Sequence, residues 1–208
     1  MSIATEFLRR PRTTGAIAAS SRRLAYAMTE GIGLERARTV VELGPGTGVF
    51  TDAVLDRLGP GARLVAVELN PVLAARLSAG RRDPRLTVVQ GSAADLAALM
   101  AGLAAGATAD GKAAGTACLG PVDAVVSGLP WTVMPRELRG RALDAVSDVL
   151  APGGRFTTFA YLHAAWTPPA RHFTAELARR FARVERSPVV WPNLPPAFVH
   201  RAVRKSAE

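Results

Sequence analysis

Residues 39–50 read TVVELGPGTGVF: a β-branched apolar run meets three glycines spaced two apart and then turns apolar again. Thr39–Leu43 has the make-up of a fully buried strand, and Thr51–Leu58 that of a helix stopped by Gly59-Pro60-Gly61. Gly44, Gly46 and Gly48 let the backbone pass close to a ligand at the mouth of that helix, whose N-terminus favours negative groups. The spacing is E-x-G-x-G-x-G. It is not the G-x-G-x-x-G of dinucleotide folds, whose third glycine packs inside the helix.

The chain repeats the same strand-and-helix alternation on the far side of this turn. Arg63–Glu68, Leu86–Gln90, Val122–Val126 and Arg155–Tyr161 read as four more buried strands. Helices are expected from Pro71, over Ser92–Leu103 with Ser92 as cap, over Glu137–Leu150 before Pro152-Gly153-Gly154, and near Arg171–Phe181. Two last strands, Val184–Trp191 and Ala197–Arg204, flank Pro192-Asn193-Leu194-Pro195-Pro196 and suggest a hairpin. The pattern predicts an α/β protein: a single Rossmann-like, doubly wound, mostly parallel seven-stranded sheet with a C-terminal antiparallel hairpin. Residues 1–38 read as a basic helical lid or membrane-contact segment and 39–208 as the domain, with 104–120 a low-complexity surface insertion.

Composition narrows the class further. The chain has 208 residues, 49% hydrophobic and 21% charged, enough for one packed domain and too apolar for a disordered chain. No run approaches the roughly 18 apolar residues needed to span a bilayer. Arg9, Arg10 and Arg12 stand where a signal peptide needs its apolar stretch. A single cysteine, Cys118, permits no internal disulfide and no cysteine-based metal site, and His163, His172 and His200 lack ligand spacing, so no metal is expected. The net charge of +9 is uneven: residues 1–38 carry +4, residues 39–170 zero and residues 171–208 +5. Basic flanks around a neutral middle suit a polyanionic surface, anionic lipid or nucleic acid. Ile3, Phe7 and Leu8 share one helical face just before the arginines, as an interfacial segment would, while Leu24, Met28 and Ile32 fit a core face.

The glycine turn resembles the S-adenosylmethionine loop of class I methyltransferases, whose ligand has no pyrophosphate to seat. That resemblance implies S-adenosylmethionine as cofactor, bound by Glu42, Gly44, Gly46, Thr47, Gly48, Glu68, Leu69, Gly91, Ser92, Ala93 and Ser127. Glu68, ending the second strand, would bridge the ribose hydroxyls. Ser92 stands where the family usually has an acid that receives the adenine amino group.

Val126-Ser127-Gly128-Leu129-Pro130-Trp131 follows the fourth strand, where open α/β sheets place reactive groups. Adenine-methylating enzymes carry Asn or Asp at the position of Gly128 to hold the target nitrogen, so Gly128 argues against a flipped adenine. Across residues 15–197 the chain instead resembles the small phospholipid N-methyltransferases of bacteria. It does so through Gly15-Ala16-Ile17, Ser20-Ser21, the glycine turn, Ser127-Gly128-Leu129-Pro130, Phe159-Ala160-Tyr161 and Asn193-Leu194-Pro195-Pro196-Ala197. Such enzymes methylate phosphatidylethanolamine towards phosphatidylcholine at the membrane surface. By this resemblance Tyr161, Ser127, Gly128, Leu129 and Pro130 form the catalytic set, and Ser20, Ser21, Trp131, Tyr161 and His163 meet the substrate. Tyr161 and His163 are candidates for orienting the amine or taking its proton, and Tyr161 and Trp131 for offering a ring face to a methylated ammonium. The expected setting is a cytoplasmic monomer on the inner face of the membrane, drawn to anionic lipid and not to nucleic acid. Two alternatives stand beside it: an adenine N6-methyltransferase of rRNA or another nucleic acid, and a non-catalytic cofactor- or lipid-binding protein of the same fold.

Overall fold

The structure, a computed structural model, describes residues 21–106 and 119–206. The expected interfacial segment at the N-terminus, Ser20, and most of the 104–120 stretch lie outside those residues. In chain order the elements are α1 (Arg22–Thr29), β1 (Thr39–Leu43), α2 (Val49–Leu55), β2 (Arg63–Glu68), α3 (Pro71–Gly80) and β3 (Leu86–Gln90). They continue with α4 (Leu96–Ala104), β4 (Val122–Ser127), α5 (Arg136–Val149), β5 (Leu150–Tyr161), α6 (Pro168–Arg180), β6 (Phe181–Arg186) and β7 (Ala197–Arg204). The seven strands form one sheet in the order β3-β2-β1-β4-β5-β7-β6. Every pairing from β3 to β5 is parallel, and β7 runs antiparallel to both β5 and β6. The expected sheet and its terminal hairpin are therefore present.

Alternation along each strand divides the core in two, because successive side chains point to opposite faces. From β1, Val41 and Leu43 join Leu96, Leu143, Phe156, Phe173 and Leu177 beneath α4, α5 and α6. Val40 faces the other layer with Leu24, Met28, Phe50 and Val54 from α1 and α2. Leu24, Met28 and Ile32 are thus core, as their spacing suggests, and the described part of residues 1–38 packs onto the sheet.

Several boundaries differ from expectation. The sixth strand begins at Phe181, inside the stretch expected to be helical, because Phe181 is buried under α6 and stacks on Phe156. Residues 187–196 form a loop instead of a strand, with only an isolated bridge from Val190 to Ala197. The fifth strand starts at Leu150, before the Pro-Gly-Gly turn. Leu150 already pairs with Val122, and the register shifts before Arg155 joins Ala124. Ser92 caps a single 3-10 turn, Ala93–Asp95, and the α-helix starts at Leu96.

Candidate active site

Strand order reverses between β1 and β4, and a doubly wound sheet opens its crevice at the carboxyl ends of such a pair. Three glycines extend the ladder past the strand ends. The Gly44 N–H donates to the Val67 carbonyl at 2.9 Å, Gly91 N–H to Glu68 at 3.0 Å, and Gly128 N–H to Leu43 at 2.8 Å. These bonds hold the three turns side by side. Gly44 adopts φ +68°, a left-handed conformation suited to glycine, with the Leu129 side chain directly over its α-carbon. A Cβ on Gly128 would stand 2.8 Å from the Gly44 carbonyl oxygen and 3.3 Å from the Phe50 ring, so a side chain there has no room.

The turns surround a cleft that Gly44, Glu68, Leu69, Gly91, Ser92 and Ala93 line on one side and Leu129, Pro130, Met134 and Leu138 on the other. Apolar walls on both sides suit a flat aromatic ring, and the Glu68 carboxylate supplies the polar edge. Glu68 is nearly buried, with Oε2 accepting from Gly46 N–H at 3.1 Å and Oε1 from Asn70 N–H at 2.9 Å. An ionised carboxylate has about four acceptor sites, so two backbone bonds orient it and leave capacity for a pair of hydroxyls. Glu42 is fully buried; Oε2 accepts from the Thr51 hydroxyl at 2.7 Å and Oε1 has no partner. Burial pushes its carboxyl up to about 8. A buried acceptor without a donor beside a glycine turn fits a ligand that brings a cationic amino group. Cleft, carboxylate and orphan acceptor together fit S-adenosylmethionine. Ser92 is partly committed, since its Oγ accepts from Ala94 N–H at 3.2 Å. Thr47 is exposed, with its carbonyl accepting from Arg81 at 3.1 Å.

Beyond β4 the expected substrate residues separate. Trp131 does not present a ring face to the site. It is 2% exposed, stacked on Phe173 at 5.7 Å and edge-on to Phe156, and its indole N–H donates to Ser127 Oγ at 3.0 Å. A large aromatic ring gains most from full burial when its one polar atom finds a partner, which is why the core claims it. Ser127 is likewise fully buried and also accepts from Leu129 N–H at 3.3 Å, so its hydroxyl shapes the turn and does not face the cleft. Arg139 and Glu176, both buried, form a two-bond pair at 2.8 and 3.2 Å, and Arg139 also donates to the Met134 carbonyl at 3.3 Å. This pair fastens α5, α6 and the 131–134 turn together. The Arg139 guanidinium holds the Glu176 carboxyl below its usual range.

Tyr161 and His163 remain together: their rings stack at 5.8 Å with 16° between planes. Tyr161 is edge-on to Phe159 at 5.5 Å, and Phe159 is edge-on to Phe50 at 5.8 Å. Phe50 borders Gly128, so an aromatic row runs from the site's centre to exposed His163. Partial burial raises the Tyr161 hydroxyl above its ordinary value, keeping it protonated. Ser21 acts as a helix cap: its Oγ accepts from Leu24 N–H at 3.2 Å, and its own N–H donates to Asn193 Oδ1 at 2.9 Å.

Two supporting residues, Asn70 and Arg81, escaped sequence reading, and a third, Asn193, stood in the 193–197 segment without a role. Asn70 caps α3 through bonds to Val72 and Leu73 N–H while donating to Glu68; an Asn before Pro71 was the available signal. Arg81 crosses from the end of α3 to the Thr47 and Gly48 carbonyls and pairs with Asp52 at 2.6 Å. Asn193, buried in the β6–β7 loop, ties that loop to α1. The last two contacts are long-range and leave no local pattern.

Residues 20–97 match the family described as ribosomal RNA adenine dimethylase. Over 205 residues the chain is 31% identical to an ornithine lipid N-methyltransferase from Singulisphaera acidiphila, covering 97% of this chain and 95% of that one. Among solved structures it is similar to the O-methyltransferase TomG from Streptomyces achromogenes in complex with S-adenosylmethionine (TM-score 0.59, 21% identity, 88% of this chain and 79% of that one). It is also similar to the N-methyltransferase NodS from Bradyrhizobium japonicum (TM-score 0.59, 13% identity, 89% and 93%).

Proposed function

The chain belongs to the class I S-adenosylmethionine-dependent methyltransferases, in the family of the ornithine lipid N-methyltransferase, and from that premise we propose that it methylates the primary amine of a membrane lipid. The observation that carries this reading is the packing at Gly128. The Gly44 carbonyl and the Phe50 ring fill the space where an adenine-methylating enzyme needs an Asn or Asp side chain. Without that acceptor a planar aromatic amine has nothing to hold it, whereas an aliphatic ammonium can give up one proton to solvent at the cleft mouth. As the free amine in an apolar approach, it can then attack the sulfonium methyl, so that the N–C bond forms as the S–C bond breaks and the neutral thioether leaves. The half-buried rings of Phe159 and Tyr161, backed by buried Phe50, are the apolar surface available for that approach.

Bound S-adenosylmethionine supplies an electrophilic methyl group on a sulfonium. The chain contributes position and electrostatics. Glu68 would orient the hydroxyl-bearing part of the ligand, and a cationic amino group arriving over the glycine turn would favour release of the proton that the buried Glu42 carboxyl holds. Ring faces along the aromatic row attract an ammonium and its methylated forms, and the Tyr161 hydroxyl, kept protonated, retains an acceptor lone pair for an N–H.

Phosphatidylethanolamine and ornithine lipid are the two acceptors this reading admits, and the relative's name favours the second. Among the described residues no helix is long and apolar enough to cross a membrane, which is compatible with work at its surface. The rRNA alternative draws on the match over residues 20–97, a stretch that ends before β4 and the Gly128 turn. The test is mass spectrometry of products after incubation with S-adenosylmethionine and three acceptors: phosphatidylethanolamine vesicles, ornithine lipid vesicles and ribosomal RNA. Successive methyl increments on either lipid support the proposal and choose the acceptor. Methylated RNA with unchanged lipids overturns it.

A further inference from the structure

Six large apolar residues stand exposed among the described residues: Tyr26, Val72, Val133, Trp166, Trp191 and Leu194. Scattered single ones are ordinary. These are not scattered. Val72 follows the carboxyl end of β2, Val133 that of β4 and Trp166 that of β5. Trp191 and Leu194 lie in the loop that enters β7, and β7 is antiparallel, so it begins where β5 ends: Ala197 pairs with Tyr161. The Leu162 N–H donates to the Pro196 carbonyl at 2.8 Å, which joins the Trp166 segment to the Trp191 loop. Five of the six therefore occupy one rim, the rim on which the cleft opens. At the opposite end the described turns 56–62 and 82–85 carry Asp56, Arg57, Arg82, Asp83 and Arg85 and no exposed large apolar side chain.

We propose that this rim is the protein's bilayer-docking surface, with Trp166, Trp191 and Leu194 entering the interface of a membrane containing anionic phospholipid. The inference rests on the lipid-amine reading above and adds the face and the residues that meet the lipid. Trp166 is 73% exposed, Trp191 67% and Leu194 84%, a heavy apolar load for adjoining loops facing water. Tryptophan suits the headgroup level because its ring is apolar and its N–H can stay wet. Charge agrees. Arg22 and Arg23 open α1, whose cap is tied to Asn193 in the Trp191 loop; Arg136 opens α5 beside Val133, and Arg171 lies in the first turn of α6 after Trp166. All four are exposed and none is in an ion pair among the described residues; Glu137 follows Arg136, and Asp52 and Asp56 share a groove with Arg22, so Arg23, Arg136 and Arg171 carry most of the free positive charge. Each such arginine near an anionic leaflet adds electrostatic attraction. Docked by this rim, the cleft faces the headgroups, so an amine reaches it while its acyl chains stay in the bilayer.

Vesicles of phosphatidylethanolamine and phosphatidylglycerol with brominated acyl chains test the surface without any substitution. Trp131 is buried, so quenching of tryptophan emission reports Trp166 and Trp191. The expected result is a blue shift with quenching. Alongside it, Trp166→Ala/Trp191→Ala sediments with vesicles about tenfold less, keeps its thermal midpoint and still methylates a short-chain lipid amine dissolved as monomer. Absence of quenching, or cosedimentation unchanged in the double variant, overturns the proposal. So does a concentration-dependent dimer abolished by the double variant without quenching, which would assign the rim to a second copy of the chain. Quenching with no methylation of any lipid amine supports the docking surface while removing the lipid-amine reading.

Discussion

The two halves of the sheet use their polar groups in opposite ways. Along β1–β3, Glu42 and Glu68 are buried beside the cleft with acceptor capacity to spare, and the glycine turns show the ligand their backbone. Along β4–β7, the polar groups of the turn after β4 are consumed internally, Ser127 by Trp131 and Leu129 and Arg139 by Glu176 and Met134, while the Thr157 and Thr158 hydroxyls of β5 are buried in the sheet without a partner. The first half binds with charge and backbone. The second builds a rigid apolar wall, and what faces a substrate is rings and aliphatic surface. A hydroxyl or carboxylate near a site is functional only if packing leaves it something to do.

The strongest challenge to this contrast is at the Arg139–Glu176 pair. Arg139→Met leaves a buried carboxylate without its partner and is expected to cost about 3–5 kcal/mol in chemical denaturation, with cofactor affinity retained in the folded fraction. Loss of cofactor affinity at unchanged stability would move the pair into the site.

Glu42 sharpens the other half through pH. Its carboxyl sits at about 8 when folded, against an ordinary 4.5, so between those values the folded state holds a proton that the unfolded state has released. Stability must then fall as pH rises, by roughly 1 kcal/mol for each pH unit, and level off above 8. Burial lowers His200 to about 4 from 6.5, and its contribution, lost as pH falls through that window, is complete above 6.5. Urea titrations of the cofactor-free protein between pH 6.5 and 8 therefore isolate Glu42. The slope should vanish in Glu42→Gln, and an unchanged slope would show that another group carries it.

Gly128 is where the halves touch. Gly128→Ala places a methyl 2.8 Å from the Gly44 carbonyl and should cost about 1–3 kcal/mol by overpacking while pushing the glycine turn out of register. Isothermal titration should show weaker S-adenosylmethionine binding than the modest stability loss accounts for. Unchanged binding would mean that the two turns move independently.

The segment TVVELGPGTG carried the first half in one stretch of sequence, because a strand, a left-handed turn and a helix start are local conformations with local composition. Glu68 was legible for the same reason, as the last residue of an apolar run. Trp131 was misread: its neighbours in sequence suggest a ring at the site, while Phe156 and Phe173, 25 and 42 residues away, bury it. The end of α6 was misplaced because Phe181 suits a helix face and an edge strand equally, and its stacking on Phe156 decides.

By itself the sequence determined the sheet, its parallel order through alternation, the cofactor turn and the uneven charge, all of which follow from the period and chemistry of neighbouring residues. Only the tertiary structure decided which polar side chains remain available, that no side chain fits at Gly128, and that the exposed tryptophans share a rim with the cleft. Those facts depend on groups far apart in the chain competing for the same space and the same hydrogen bonds, and burial settles that competition.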